Sequence, residues 1–147
     1  PYLVASVANV IVGQRLVRRV CHKCSEWGRP QSKIFDRYRT MFDFEREYTQ
    51  FQKAGLLPSD IPFEKVRFAH SRGCEKCAGT GYQGRVGIYE ILQVNEIIHG
   101  LIVRQAPEAE IRAAAKQQGA LTMKGDGLLK VFKGITTFEE VLRVTKE

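Results

Sequence analysis

Four cysteines constrain this chain more than any other feature. They form two matched pairs far apart in the sequence, Cys21-His22-Lys23-Cys24 and Cys74-Glu75-Lys76-Cys77, and the 147 residues contain no others. A C-x-x-C turn aims two sulfurs at one point, and two such turns complete a tetrahedral thiolate set of the kind that holds zinc. Lys23 and Lys76 lie inside the turns, where they offset part of the charge of four thiolates. Gly73 and Gly79 flank the second pair and permit the tight backbone it needs. Two disulfides or four unrelated thiols are the competing readings. Disulfides suit small secreted domains that lack a core, and a redox-active C-x-x-C is expected singly. Cys21, Cys24, Cys74 and Cys77 are therefore the candidate metal ligands. A site closed by four protein ligands is expected to be structural, with His22 a bystander and His70 and His99 ordinary surface or core residues.

With 44% hydrophobic residues, the chain has material for one compact domain or two small ones. Its longest apolar run, Leu3 to Gly13, is interrupted by Ser6 and Asn9 and falls short of the roughly 20 residues a bilayer span needs. No signal-peptide layout is visible, and a chain that starts at Pro1 is expected to be an excerpt. Paired cysteines without a span favour a cytoplasmic setting. The net charge of +7 is localised: from Arg15 to Arg39, eight basic residues face only Glu26 and Asp36. Such a stretch can meet nucleic acid, acidic lipid or an acidic protein, or can simply be a solvated face or subunit contact.

Periodicity sketches the rest. Leu3, Val7, Val10 and Ile11 suggest a helix over Leu3–Gly13, and the β-branched content of Gln14–Val20 favours a strand. Ser25–Ser32, with Gly28 and Pro30, reads as a loop. Phe35–Ala54 reads as a helix with Phe44, Tyr48 and Phe51 on one face, stopped by Gly55. Lys65–Ala69 and Arg85–Val94 are strand candidates. Beyond Asn95 the chain reads as helical. Asn95 caps a helix whose apolar face is Ile97, Ile98, Leu101 and Ile102, and Pro107 falls in the first turn of the next. Thr122 opens a third helix with Leu128, Leu129 and Phe132, which Gly125 and Gly127 weaken enough to allow a kink. Thr137 and Glu140 form a capping box for the last.

No GxxxxGK[ST] loop is present, and Gly79–Gly84 fits a GxGxxG spacing only loosely, after a cysteine turn and not a strand. The residues alone thus describe a zinc-stabilised, basic α+β domain. The run from Gly73 to Leu92 goes further, because it joins Cys74 and Cys77 to Thr80-Gly81-Tyr82, Gly84-Arg85 and Tyr89-Glu90 in fixed order. It resembles the second cysteine turn of the type II secretion and type IV pilus assembly ATPases. Leu3–Cys21 is similar to the segment after that family's histidine box, and Gly119–Leu142 to its closing helices, so the likeness covers nearly the whole chain. The long insert between the two cysteine pairs departs from the family pattern.

The resemblance implies an α+β fragment of a RecA-like α/β motor domain with a four-cysteine zinc subdomain and a C-terminal helical bundle. Residues 1–94 would be the edge of the motor domain with the zinc subdomain, and residues 95–147 the helical subdomain. It further implies a homohexamer at the cytoplasmic face of the inner membrane, working on a platform protein there and peripheral to the bilayer. The parent would use ATP and magnesium through motifs upstream of Pro1. Only the zinc ligands Cys21, Cys24, Cys74 and Cys77 carry over, and this chain alone is expected not to cleave ATP. Arg104 is expected to be an exposed contact in the ring. Two alternatives stand beside this reading. One is a basic zinc-knuckle domain that binds nucleic acid, for which the two cysteine turns and the basic stretch are the evidence. The other is a J-domain co-chaperone, whose repeated CxxCxGxG matches at Cys74–Gly81 but not at Cys21–Gly28.

Overall fold

The computed structural model describes residues 6–29 and 43–145, an α+β arrangement in which two antiparallel ribbons meet a set of helices. The longer ribbon pairs β1 (Val10–Val20) with β4 (Tyr82–Gln93), and the shorter pairs β2 (Ser25–Gly28) with β3 (Phe68–Ser71). Helices α1 (Phe44–Lys53), α2 (Glu96–Val103), α3 (Glu108–Gln117), α4 (Met123–Phe132) and α5 (Phe138–Thr145) follow in chain order, with short 3-10 turns at Phe63–Lys65 and Glu75–Cys77.

Of the helix expected over Leu3–Gly13, Ser6 and Val7 are helical, but its C-terminal end is strand. Val10, Ile11 and Val12 are strand residues opposite Gln93, Leu92 and Ile91. Three consecutive β-branched side chains suit a pleated strand, and a long partner strand outweighs helical spacing in so short a run. Leu3 to Ala5 of that expected helix lie outside the described residues. Val17 and Ile88, fully buried, share the inward face of the ribbon, while Val12 and Ile91 on the other face stay about half exposed. Ser25–Gly28 likewise forms a strand where a loop was expected, because Phe68–Ser71 supplies its ladder partners. The remainder of that loop, residues 30–32, and residues 35–42 of the expected aromatic helix lie outside the described residues.

The core is aromatic and built around α4. Phe132 meets Tyr48, Phe51 and Phe68 at ring-centroid distances of 5.0, 6.2 and 5.8 Å. Phe138 meets Phe44 at 4.8 Å and Phe68 at 5.0 Å. Each such pair adds about 1 kcal/mol beyond the apolar area it buries. Helix α1 thus uses Phe44, Tyr48 and Phe51 as its periodicity predicts, with Asp43 accepting from the Arg46 N–H at its start.

Asn95 caps α2 by accepting from the Ile98 N–H at 3.0 Å, and Ile98 and Leu101 are buried. Ile97 is 62% exposed, so it does not belong to the packed face. Pro107 sits one place earlier than expected, at the cap position before α3. Helix α3 buries none of its residues and leans on α2. The suspected weak point of α4 has a packing explanation. Helix α4 runs continuously, and a Cβ at Gly127 would lie 2.7 Å from a methyl of Val141, so glycine lets α4 and α5 approach.

The expected capping partners at α5 are engaged elsewhere. Thr137 Oγ1 bonds the Tyr82 hydroxyl at 3.0 Å. The Glu140 carboxylate, 1% exposed, accepts from the Arg18 backbone N–H at 2.9 Å and guanidinium at 2.6 Å. It also accepts two bonds from Arg143, at 2.9 and 2.7 Å. This ion triad ties α5 to the end of β1.

Candidate metal centre

The two cysteine turns meet where β1 ends and β4 begins. Cys21 directly follows β1, and its N–H donates to the Gly81 carbonyl at 2.9 Å, which joins the first turn to the second. Within the turns, the Cys24 N–H donates to Cys21 O at 3.3 Å and the Cys77 N–H to Cys74 O at 3.1 Å. Gly73 is required at φ +89°, and a Cβ there would fall 2.3 Å from the Gly79 carbonyl oxygen. The register shift in the ribbon between Arg18 and Val20 turns the strand into this corner.

The four sulfurs lie within 4.8 Å of one another. Cys21 and Cys74 are 3.9 Å apart, Cys24 and Cys77 3.8 Å, and Cys74 and Cys77 3.8 Å. A disulfide needs about 2.05 Å, so no pair is bonded. A zinc–sulfur bond of about 2.3 Å in a tetrahedron gives sulfur–sulfur edges of about 3.8 Å. The cluster therefore has the size that a tetrahedral thiolate centre requires, and it can hold one such ion.

Its surroundings are tuned for sulfur anions. The Cys74 N–H at 3.1 Å and the Gly81 N–H at 3.3 Å both donate to Cys77 Sγ. Led by the Cys74 bond and against burial, these donors bring the Cys77 thiol down to about 6. Cys24 goes the other way, to about 11: the Ser71 hydroxyl at 2.8 Å pulls it down, but burial and the three other sulfurs outweigh it. One thiolate forms readily and the next is opposed by its neighbours. A divalent cation would remove that opposition.

His22 is exposed in the first turn, and His70 lies with its Nε2 3.7 Å from Glu26. Among the described residues, the four cysteines are the group placed close enough for a metal, and no histidine joins them. Gly81, which donates to Cys77 Sγ, belongs to the Thr80-Gly81-Tyr82 motif noted in the sequence, whereas Ser71 was not singled out; a lone serine on a short strand carries no signal. Trp27 is another such residue. Half exposed on β2, it lies against the turn between α4 and α5, where a Cβ at Gly134 would fall 2.1 Å from its ring. Val20 N–H donates to Ile135 O at 3.0 Å and Thr136 Oγ1 to Arg18 O at 2.8 Å, so the same turn also grips the end of β1.

Elsewhere, Arg104 is exposed and paired with Glu110. Among the described residues no helix is long and apolar enough to cross a membrane.

Comparison with known proteins shows the family. A family model described as "Type II/IV secretion system protein" matches residues 1–143. The chain is 35% identical over its full length to the "Type IV pilus assembly ATPase PilB" of Thermus thermophilus, of which it spans 14%. It is 34% identical over its full length to "Type II secretion system protein E" of Pectobacterium carotovorum, spanning 25% of that protein. It is also 35% identical to "Type II secretion system ATPase E" of Vibrio cholerae, again spanning 25%. The chain thus spans a quarter or less of these relatives, and by the extent of the match it belongs to the type II/IV secretion system protein family.

Proposed function

We propose that this chain is the C-terminal part of a hexameric, RecA-like ATPase motor that powers type IV pilus assembly or type II protein secretion. In this reading it supplies a structural zinc site and subunit contacts, not ATP cleavage. Residues 1–94 form the edge of the motor domain with the zinc subdomain, and residues 95–147 the helical subdomain. The motor works on a platform protein at the cytoplasmic face of the inner membrane.

The observation that carries the zinc assignment is the set of sulfur separations near 3.8 Å, matched to a tetrahedral tetrathiolate. Family membership and the ATPase relatives support the motor role. Cys21, Cys24, Cys74 and Cys77 would hold the ion, and four thiolates leave it no open position for substrate, so its contribution is to folding.

Phosphoryl transfer in such motors needs a Gly-rich loop with its lysine and carboxylates that hold magnesium. The 147 residues contain no GxxxxGK[ST] loop. Metal analysis and a nucleotide turnover assay on the purified chain test both halves together. The expected result is one zinc per chain with no turnover. Robust ATP hydrolysis by the chain alone would overturn the division of labour, and folded metal-free protein would overturn the zinc assignment.

A further inference from the structure

The four sulfurs of the corner are not held alike. Cys77 Sγ takes its donors from the backbone, the Cys74 and Gly81 N–H groups, which the turn itself supplies. Cys24 Sγ instead has a side-chain hydroxyl against it, Ser71 Oγ at 2.8 Å. Thr80 sends its hydroxyl to the Cys77 carbonyl, and the Gln83 amide is 3.9 Å from Cys21, so neither offers a sulfur so close a donor. Ser71 owes its place to the short ribbon. It is the last residue of β3 and pairs with Ser25, the residue directly after Cys24. On its other side it packs on Gly81, where an added Cβ would come within 3.2 Å of the serine Cβ. One small side chain thus reaches from the first cysteine turn to the backbone beside the second.

A hydroxyl has one proton to give and two lone pairs to offer. Ser71 Oγ has two acceptors in reach, the Cys24 sulfur and, at 3.2 Å, the Cys24 carbonyl oxygen. While Cys24 is a neutral thiol, its S–H can donate to Oγ and the hydroxyl proton goes to the carbonyl. A metal-bound thiolate has no proton left and carries charge, so it is the stronger acceptor and takes the hydroxyl proton. The serine therefore satisfies the ligand in both states, and its bond to the sulfur is the stronger one when the ion is bound.

We propose, as an extension that rests on the zinc reading above, that Ser71 is a positioning residue for the ion. Its hydroxyl donates to the Cys24 thiolate when the metal binds, holds that sulfur at its corner of the tetrahedron and raises the affinity of the site. Partners of this kind around metal ligands are worth about 10–100-fold in metal affinity. Because Ser71 belongs to β3 and Cys24 to the turn before β2, the same bond ties metal loading to closure of the β2–β3 ribbon.

The test loads the 147-residue chain with cobalt(II), whose absorption reports its donor atoms, and measures zinc affinity by competition with a chelating dye. The wild-type chain should show the sulfur-to-cobalt charge-transfer band of a tetrahedral tetrathiolate. Ser71→Ala should keep that geometry and move the band to longer wavelength, as the Cys24 lone pair loses its hydrogen bond. It should also weaken zinc binding by about tenfold. Ser71→Thr and Ser71→Val have nearly one shape and differ in the hydroxyl, so this pair decides the point even if Ser71→Ala fails to fold. Thr should restore the band position and bring affinity within about threefold of wild type, whereas Val should behave as Ala. Ser25→Ala, across the ladder from Ser71, should change affinity by no more than about twofold. Far-UV circular dichroism should match among the variants compared. An unshifted band in Ser71→Ala, with affinity within about twofold of wild type, would overturn the role given to Ser71 and leave the zinc site standing. So would equal losses in Ser71→Thr and Ser71→Val, which would assign the effect to packing. A wild-type chain with no sulfur-to-cobalt band would overturn the zinc reading itself, and the role of Ser71 with it.

Discussion

The cysteine corner and the aromatic core are stabilised in different ways. Around Phe132, five aromatic partners and neighbours on α1, β3 and α5 are buried, and hydrophobic transfer and packing suffice to hold them. Around Cys21, Cys24, Cys74 and Cys77, the β2–β3 ribbon has only four residues per strand: Phe68, at its end away from the cysteines, belongs to the aromatic core, and Trp27 is half exposed. So short a ribbon is marginal without help. On the proposed reading, the difference teaches where a metal would serve a small domain: at the corner with little apolar surface of its own to close it.

Four perturbations break or sharpen that contrast, from the largest expected effect to the smallest. Removing the ion, by chelation or by Cys74→Ser, should unfold the corner, since metal binding at such a site is folding free energy of about 10 kcal/mol. The aromatic core should persist. Trp27 is the only tryptophan and rests on the turn at Gly134, so its fluorescence should shift to the red while far-UV helical signal is largely kept. Simultaneous loss of both signals would show that the two regions share one folding unit. Phe132→Ala makes the reverse cut. It should cost about 3–5 kcal/mol in denaturant unfolding, as for other buried aromatics, while zinc stoichiometry stays at one.

Third in size is the ion triad that bridges the regions. The usual Glu140 carboxyl value of 4.5 is raised by burial but lowered more by Arg143 and Arg18, to a net of about 2. A depressed acid stabilises the fold above its unfolded value and loses that contribution as pH falls toward the folded one. Stability should therefore drop between pH 4.5 and about 2 by roughly 2 kcal/mol, less than the full shift implies because both arginines are half exposed. Glu140→Gln should flatten that part of the profile, and an unchanged slope in a thermal melt series would contradict the assignment. Last, Asn95→Ala should cost about 1 kcal/mol through loss of the α2 cap and leave the metal untouched.

Legibility from sequence followed how local the cause was. Phe44, Tyr48 and Phe51 announced a helix face because spacing alone determines it, and Asn95, Thr122 and Gly134 marked helix ends through local backbone chemistry. The cysteines could be read as one set because each C-x-x-C turn is itself local. The strands at Val10–Gly13 and Ser25–Gly28 were hidden, since their partners lie far along the chain. The same distance concealed Glu140, whose helical spacing from Thr137 suggested a cap while its real partner was Arg18. Ile97 looked apolar-faced by spacing, yet among the described residues no element covers it.

The central claim is that the corner is a zinc tetrathiolate on which local folding depends. Zinc K-edge X-ray absorption of the purified chain tests it most directly. The account predicts one zinc per chain with four sulfur neighbours at about 2.3 Å and no nitrogen shell, consistent with His22 standing aside. A mixed sulfur–nitrogen shell, or a folded chain with four titratable thiols and no metal, would contradict it.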